Sequence, residues 1–213
     1  MINTKDQEQL FKLIVDYLEE DIECIAIGGT AMMFSGYKTA TKDIDLVFKS
    51  NKDRNIFIKA IEKIGYKQKS LLGIYDEKRK DSKNKPLLFS RGDEKFDLFV
   101  KNVFGFNLDF DINKIIQRND FLGKKELIVY VLPKEDLILL KSITSRERDY
   151  EDIETIINTD NEIDWDYIIT EAIKQKKNNS WILIDLEETL QKLKTKAFIP
   201  DKYFKRIYKE QKK

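Results

Sequence analysis

The sequence predicts an α+β protein: a mixed β-sheet flanked by helices over residues 1–132, then a helical region over 133–213. Three observations predict it. Four apolar runs of strand length, "ECIAI", "DIDLVF", "EKFDLFV" and "ELIVYVL", all lie before Pro133. Amphipathic stretches with helical spacing are interspersed among them. Beyond Pro133 every apolar pattern is helical, so strands and helices share the first part and helices alone fill the second.

The elements follow in order. Thr4 with Gln7 has the form of a capping box, and Leu10, Leu13, Ile14, Tyr17 and Leu18 recur at helical spacing, predicting a helix from about 4 to 19. "ECIAI" (23–27) is a strand, Gly28 and Gly29 turn the chain, and a short helix over 30–35 is closed by Gly36. "DIDLVF" (43–48) is the second strand. Ser50 or Asn51 caps a helix with an apolar face of Ile56, Phe57, Ala60, Ile61 and Ile64, stopped by Gly65. "SLLGIY", "KPLLFS" and "EKFDLFV" read as strands, with "DEKRKDSKNK" a polar hairpin loop between the first two. "DINKIIQRND" (111–120) reads as a short helix and "ELIVYVL" as a strand. Pro133 fits a first helical position. Leu137, Leu140 and Ile143, then Ile153, Ile156 and Ile157, mark two helices, and "DWDYIITEAIKQ" and "WILIDLEETLQKL" two more.

Composition restricts the chemistry. The 213 residues are 41% hydrophobic and 36% charged, enough for a sizeable core. There is no histidine, which excludes His-based triads, His general bases and the usual His-containing zinc sites. The single cysteine, Cys24, allows no internal disulfide and suits a reducing cytoplasm. The N-terminus has no apolar signal-peptide region, and no apolar run approaches the length of a membrane span, so no membrane partner is expected. The formal net charge is +1, but residues 192–213 carry nine Lys/Arg against two acids, a net +7, which leaves the preceding residues at −6. That tail mixes basic residues with Phe198, Tyr203, Phe204 and Tyr208. Such a mixture can grip phosphates and stack bases. The helical spacing of Tyr203, Phe204, Ile207 and Tyr208 favours a docked helix with lysines in water.

Two acids interrupt an apolar run at Asp43 and Asp45. On a strand, Asp43, Asp45 and Val47 share one face, and Ile44, Leu46 and Phe48 the other. Two carboxylates that close repel unless a cation lies between them, and a hard ion such as Mg²⁺ suits them. Taken alone, Asp-x-Asp reads as the polar face of a half-exposed strand, and Gly28-Gly29-Thr30 as a tight strand-to-helix turn. The glycines also permit close approach of a ligand to backbone N–H groups, and Thr30 adds a hydroxyl. The stretch is neither a P-loop nor a dinucleotide fingerprint.

The compound pattern is more specific. An apolar strand, Gly-Gly-Thr, a connector and then Asp-x-Asp between apolar residues resembles the signature of the nucleotidyltransferase superfamily, which includes the polymerase-β-like enzymes. That resemblance implies a third metal-binding acid on a later strand. "KFDLFV" supplies Asp97 between Phe96 and Leu98, whereas the competing Asp93 adjoins Gly92 in a turn. "LPKEDLILLKSITSRERDYEDIETII" (132–157) is similar to the segment after the catalytic domain in small prokaryotic enzymes of this superfamily, among them the abortive-infection, type IV toxin nucleotidyltransferases. Lys141 matches their helical lysine, and Arg148, Asp149 and Asp152 the later part. In that reading Lys141 and the acids line a nucleotide or acceptor pocket; the alternative for 146–154 is a solvated helix face with i,i+3 and i,i+4 charge pairs.

The resemblance therefore implies a catalytic core over 1–132 and a C-terminal helical region with a basic tail over 133–213. Its implied activity is Mg²⁺-dependent transfer of a nucleoside monophosphate from an NTP such as ATP to a hydroxyl, with Mn²⁺ as the substitute ion. Asp43, Asp45 and Asp97 are the metal-binding and catalytic residues it implies, and Gly28, Gly29, Thr30, Lys42 and Lys141 the nucleotide-binding ones. The acceptor stays open, with RNA among those it admits, and a toxin-like role would bring a partner antitoxin. A catalytically inactive module of the same fold, binding nucleotide, RNA or a partner protein, is the alternative.

Overall fold

The computed structural model describes residues 1–69, 85–110, 117–160, 162–196 and 198–212. The runs "SLLGIY" and nearly all of "DEKRKDSKNK", and residues 111–116, lie outside the described residues. The chain divides into two compact units, one of residues 1–104 with 108–132, the other of residues 105–107 with 133–213.

In the first unit, β1 (Ile2–Asn3) leads into α1 (Thr4–Ile14), extended by a 3₁₀ turn over Val15–Tyr17. The cap of α1 is Asn3, whose Oδ1 accepts from the Asp6 N–H at 2.9 Å; Gln7 is buried instead of closing a capping box with Thr4. Then come β2 (Ile22–Ala26), α2 (Gly28–Phe34), β3 (Ala40–Thr41), β4 (Asp43–Phe48) and α3 (Asn51–Lys63). Ser50 caps α3 by accepting from the Asp53 N–H at 3.1 Å, and Gly65, at φ +95°, ends it in a conformation that glycine adopts without strain. The later strands are β5 (Lys67–Lys69), β6 (Leu87–Arg91), β7 (Glu94–Val100), β8 (Asn102–Val103), β10 (Arg118–Leu122) and β11 (Glu126–Val131). Arg118–Asp120, expected at the end of a helix, are strand, because β10 pairs antiparallel with β11 from Arg118↔Tyr130 to Leu122↔Glu126.

The sheet order is β10-β11-β2-β4-β7-β6-β5. It is mixed: β2 runs parallel to β11 and antiparallel to β4, while β4 and β7 are parallel. One face carries the core. Cys24, Ala26, Ile44, Leu46, Phe48, Phe96, Leu98, Leu127 and Val129 point to it and pack with Phe11 and Ile14 of α1 and Ile56, Phe57, Ala60 and Ile61 of α3. Phe57 and Phe96 meet edge-on at 5.4 Å, as do Tyr66 and Phe96 at 4.9 Å, an arrangement the ring quadrupoles favour. A separate two-stranded ribbon pairs β1 with β3, setting Ile2 opposite Thr41.

Among its described residues the second unit holds β9 (Phe106–Asn107) and the helices α4 (Lys134–Thr144), α5 (Glu147–Thr159), α6 (Trp165–Gln175), α7 (Ile182–Leu193) and α8 (Asp201–Gln211). Pro133 is the cap of α4, one residue before its first turn. Helix α4 is the apolar axis of this unit, with Leu137, Ile138, Leu139 and Leu140 all buried. The basic tail is a docked helix: Tyr203, Phe204 and Ile207 of α8 are buried, while Lys202 and Arg206 pair with Asp166. Among the described residues no helix is long and apolar enough to cross a membrane.

Candidate active site

The site face of the sheet is opposite the core. Strand alternation sends Asp43, Asp45 and Val47 to it, because Ile44, Leu46 and Phe48 are fully buried on the other side. The parallel pairing of β4 with β7 sets Asp45 opposite Asp97 and Asp43 opposite Lys95. Residues directly opposite on neighbouring strands point to the same face, about 5 Å apart. Asp43, Asp45 and Asp97 are therefore neighbours on one face, although Asp97 is remote in the chain. All three are half-buried. The Asp43 Oδ1 atom is buried and has no hydrogen-bond partner among the described residues; the Lys95 ammonium is 3.9 Å from it.

The glycine turn is built around these acids. Gly28 opens α2 at φ +56°, and a Cβ there would come 2.5 Å from Asp45 Oδ2. A Cβ on Gly29 would collide with the Thr41 hydroxyl. The missing side chains thus let the first turn of α2 lie directly against Asp45 and Thr41. Thr30 is fully buried, and its hydroxyl accepts the Asp45 backbone N–H at 2.9 Å. The Ile27 N–H donates to the Asp45 carbonyl at 3.1 Å. Asp45 is held from both sides of its peptide. Thr41 donates to the Asp43 carbonyl at 3.2 Å, holding the entry to β4. Lys42 is exposed on that entry. Thr41 and Lys95 were not legible as site residues. Lys95 could have been found by applying strand alternation to Asp97, since it lies two residues earlier; Thr41 had no local signal.

The donor set is three carboxylates, which suits a hard oxygen-seeking ion. Among the described residues no group of three or more acids, cysteines or histidines is gathered closely enough to enclose a metal by itself. Magnesium does not require that: it is commonly held by one or two carboxylates together with substrate phosphates. The buried, unpartnered Asp43 oxygen and the facing Asp45–Asp97 pair fit an ion of this kind.

A second polar cluster lies within the helical unit. Lys141, on α4, is 5% exposed, and its Nζ donates to Asp152 Oδ2 at 2.5 Å and Asp149 Oδ1 at 3.5 Å. Asp149 also accepts from the Thr144 hydroxyl at 2.7 Å and from Arg146 Nε at 2.7 Å. Burial opposes the charge on Asp149, but Arg146 and Lys141 overcome it and hold the carboxyl at about 2. Asp149 and Asp152 of α5 are thus buried against Lys141, while Glu147 and Glu151 of the same helix are exposed. The arginine that pairs with Asp149 is Arg146; Arg148 is exposed.

The family described as nucleotidyltransferase of unknown function (DUF6036) matches residues 6–205. The chain belongs to this family. The match covers the strands with the acids, helices α4 to α7 and the start of α8. The fold is accordingly α+β with a nucleotidyltransferase-type mixed sheet. Two solved structures from Helicobacter pylori are similar to this chain. JHP933 has 13% identity and a TM-score of 0.43, with 99% of this chain and 90% of that chain covered. A second, described as a candidate nucleotidyltransferase, has 14% identity and a TM-score of 0.41, covering 98% and 92%. No curated protein matches the chain.

Proposed function

We infer that the chain transfers a nucleoside monophosphate from an NTP to a hydroxyl acceptor, releasing pyrophosphate. The observation that carries this reading is the facing of Asp45 and Asp97 across β4 and β7, beside a buried Asp43 oxygen without a hydrogen-bond partner among the described residues. Asp43, Asp45 and Asp97 would hold Mg²⁺, or Mn²⁺ in its place. Such an ion supplies positive charge that orients the triphosphate and lowers the pKa of the acceptor hydroxyl. Asp97 takes the hydroxyl proton. The acceptor oxygen forms a bond to the α-phosphorus as the bond from that phosphorus to the bridging oxygen breaks, and pyrophosphate leaves. Gly28 and Gly29 admit the phosphates close to the backbone, Thr30 fixes Asp45 beneath them, and Lys42 offers a mobile cation at the rim. Lys141 acts through the fold, with its ammonium engaged by Asp152 and Asp149. Catalysis of this kind is positioning and charge stabilisation, which requires no histidine.

The test is incubation of the protein with α-labelled NTPs, Mg²⁺ and candidate acceptors, including RNA, beside the Asp43→Ala/Asp45→Ala double variant. Labelled product and pyrophosphate are expected from the wild type alone; equal labelling by both proteins overturns the assignment. One other reading is a non-catalytic nucleotide-binding module of the same fold, since carboxylates placed together do not by themselves establish turnover. Calorimetry separates the two: tight NTP binding without pyrophosphate release supports the module.

A further inference from the structure

Lys95 is a cation placed among the acids by the same register that brings the acids together. It lies opposite Asp43 on β7 and two residues before Asp97, so all four side chains share the site face. Its ammonium is 3.9 Å from Asp43 Oδ1, beyond hydrogen-bond length, and its side chain is 57% exposed. That oxygen is buried and receives no hydrogen bond among the described residues. The attraction is therefore loose, between a fixed oxygen and a mobile point charge on a flexible stem. Other lysines of this unit are tied elsewhere: Lys52 to Glu20, and Lys59 and Lys63 to Glu19. Lys95 has Asp43 as its ion-pair partner among the described residues.

We propose that Lys95 is an exchangeable cation of the site: it neutralises Asp43 while no metal is bound, and turns to the triphosphate once a metal takes that oxygen. The inference rests on the reading that these aspartates hold a divalent ion. Its physical basis is competition. One buried oxygen cannot serve the ammonium and a metal together, so binding the metal displaces the lysine, and the affinity for metal alone is reduced by that linkage. The released ammonium lies on the face where an anion of high charge arrives with the metal, and a lysine is well suited to a phosphate as a point charge. The exchange keeps Asp43 compensated at every stage and gives bare metal a weaker hold than metal with nucleotide.

The consequence is a pair of effects of opposite sign. Lys95→Gln removes the competitor, so Mn²⁺ alone binds more tightly, by about 1.5- to 5-fold, the range of an exposed ion pair. The same change removes a phosphate contact, so a non-hydrolysable NTP binds more weakly at saturating Mn²⁺. Lys95→Arg keeps the charge and restores the NTP affinity. Lys67→Gln is the control for general charge, since Lys67 and Lys95 both lie opposite Ser90, about 10 Å apart across the sheet.

The experiment follows free Mn²⁺ by electron paramagnetic resonance in a nucleotide-free titration, then NTP binding by calorimetry. Tighter Mn²⁺ and weaker NTP in Lys95→Gln, neither in Lys67→Gln, and NTP recovery in Lys95→Arg are expected. If the wild type binds Mn²⁺ and Lys95→Gln leaves both affinities unchanged, or shifts them as Lys67→Gln does, the exchange is wrong and the metal site stands. If the wild type binds no Mn²⁺, with or without nucleotide, the metal-site reading and the exchange fall together.

Discussion

Replacing Lys141 with Met should unfold the helical unit more readily than any surface change, because it removes one charge from a buried group of three. Lys141 is 5% exposed, and Asp149 and Asp152 are 1% and 6% exposed. Methionine keeps most of the stem's volume, so the loss is electrostatic rather than a cavity. Asp149 retains Arg146 and Thr144, but Asp152 loses the ammonium 2.5 Å from its Oδ2. Breaking a buried pair from one side costs about 3–5 kcal/mol. Asp152 keeps other contacts, so the cost lies toward the lower part of that range, about 3–4 kcal/mol. For a unit of this size about 3–4 kcal/mol lowers Tm by at least about 12 °C. Thermal unfolding followed by far-UV circular dichroism measures it, with Lys141→Met/Asp152→Leu beside the single variant. The double variant, which removes a charge of each sign, recovers much of the loss. A Tm for Lys141→Met within about 3 °C of the wild type refutes the reasoning, and would return Lys141 to the ligand-contacting role that the sequence resemblance implies.

Three further outcomes follow from the geometry. Gly28→Ala places a Cβ 2.5 Å from Asp45 Oδ2 at φ +56°, so the carboxylate is pushed aside; Mn²⁺ affinity should fall at least about tenfold, with about 1–2 kcal/mol lost in urea unfolding from the left-handed backbone. Thr30→Val leaves the Asp45 N–H without its acceptor and should cost about 1–3 kcal/mol in the same assay, whereas Thr30→Ser, which keeps the hydroxyl, should cost under half of that. Asp136 is the pH-dependent position. Burial pushes its carboxyl up to about 6, against the pull of the Tyr167 hydroxyl and with the push of Glu171 and Glu135. Its folded value is above its unfolded value, so the folded chain binds more protons and stability declines as pH rises from about 4 to about 6. Asp136→Asn should flatten that decline and be about 1–2 kcal/mol more stable at pH 7, read from urea unfolding across pH.

The local parts of this fold were legible because each has a local cause. The alternation in "DIDLVF" separates acids from core, Ser50 caps α3, and Gly65 ends it. Asp97 could be picked out as an acid between apolar neighbours. What could not be read is pairing across distance. Nothing between Phe48 and Phe96 says that β4 lies parallel to β7 with Asp45 opposite Asp97, and the position of Lys95 opposite Asp43 is a property of that register alone. The same limit explains Arg118–Asp120, whose strand is imposed by β11, and Thr41, whose part depends on how closely Gly29 lets α2 approach. Charges on α5 misled for another reason. Acids at helical spacing have the same pattern whether water or a buried lysine neutralises them, and only the packing of α4 against α5 distinguishes the two. The true cap of α1 was missed by one residue because Asn3 and Thr4 are both good caps and only the backbone decides between them.

The measurement that bears most directly on the account is a crystal structure with Mn²⁺ and a non-hydrolysable NTP, using the anomalous signal of manganese to place the ion. The account predicts an anomalous peak about 2.1–2.3 Å from carboxylate oxygens of Asp43 and Asp45, with Asp97 on the same ion or its neighbour and the α-phosphate beside them. A peak bound elsewhere, or nucleotide density away from the β4–β7 face, contradicts it.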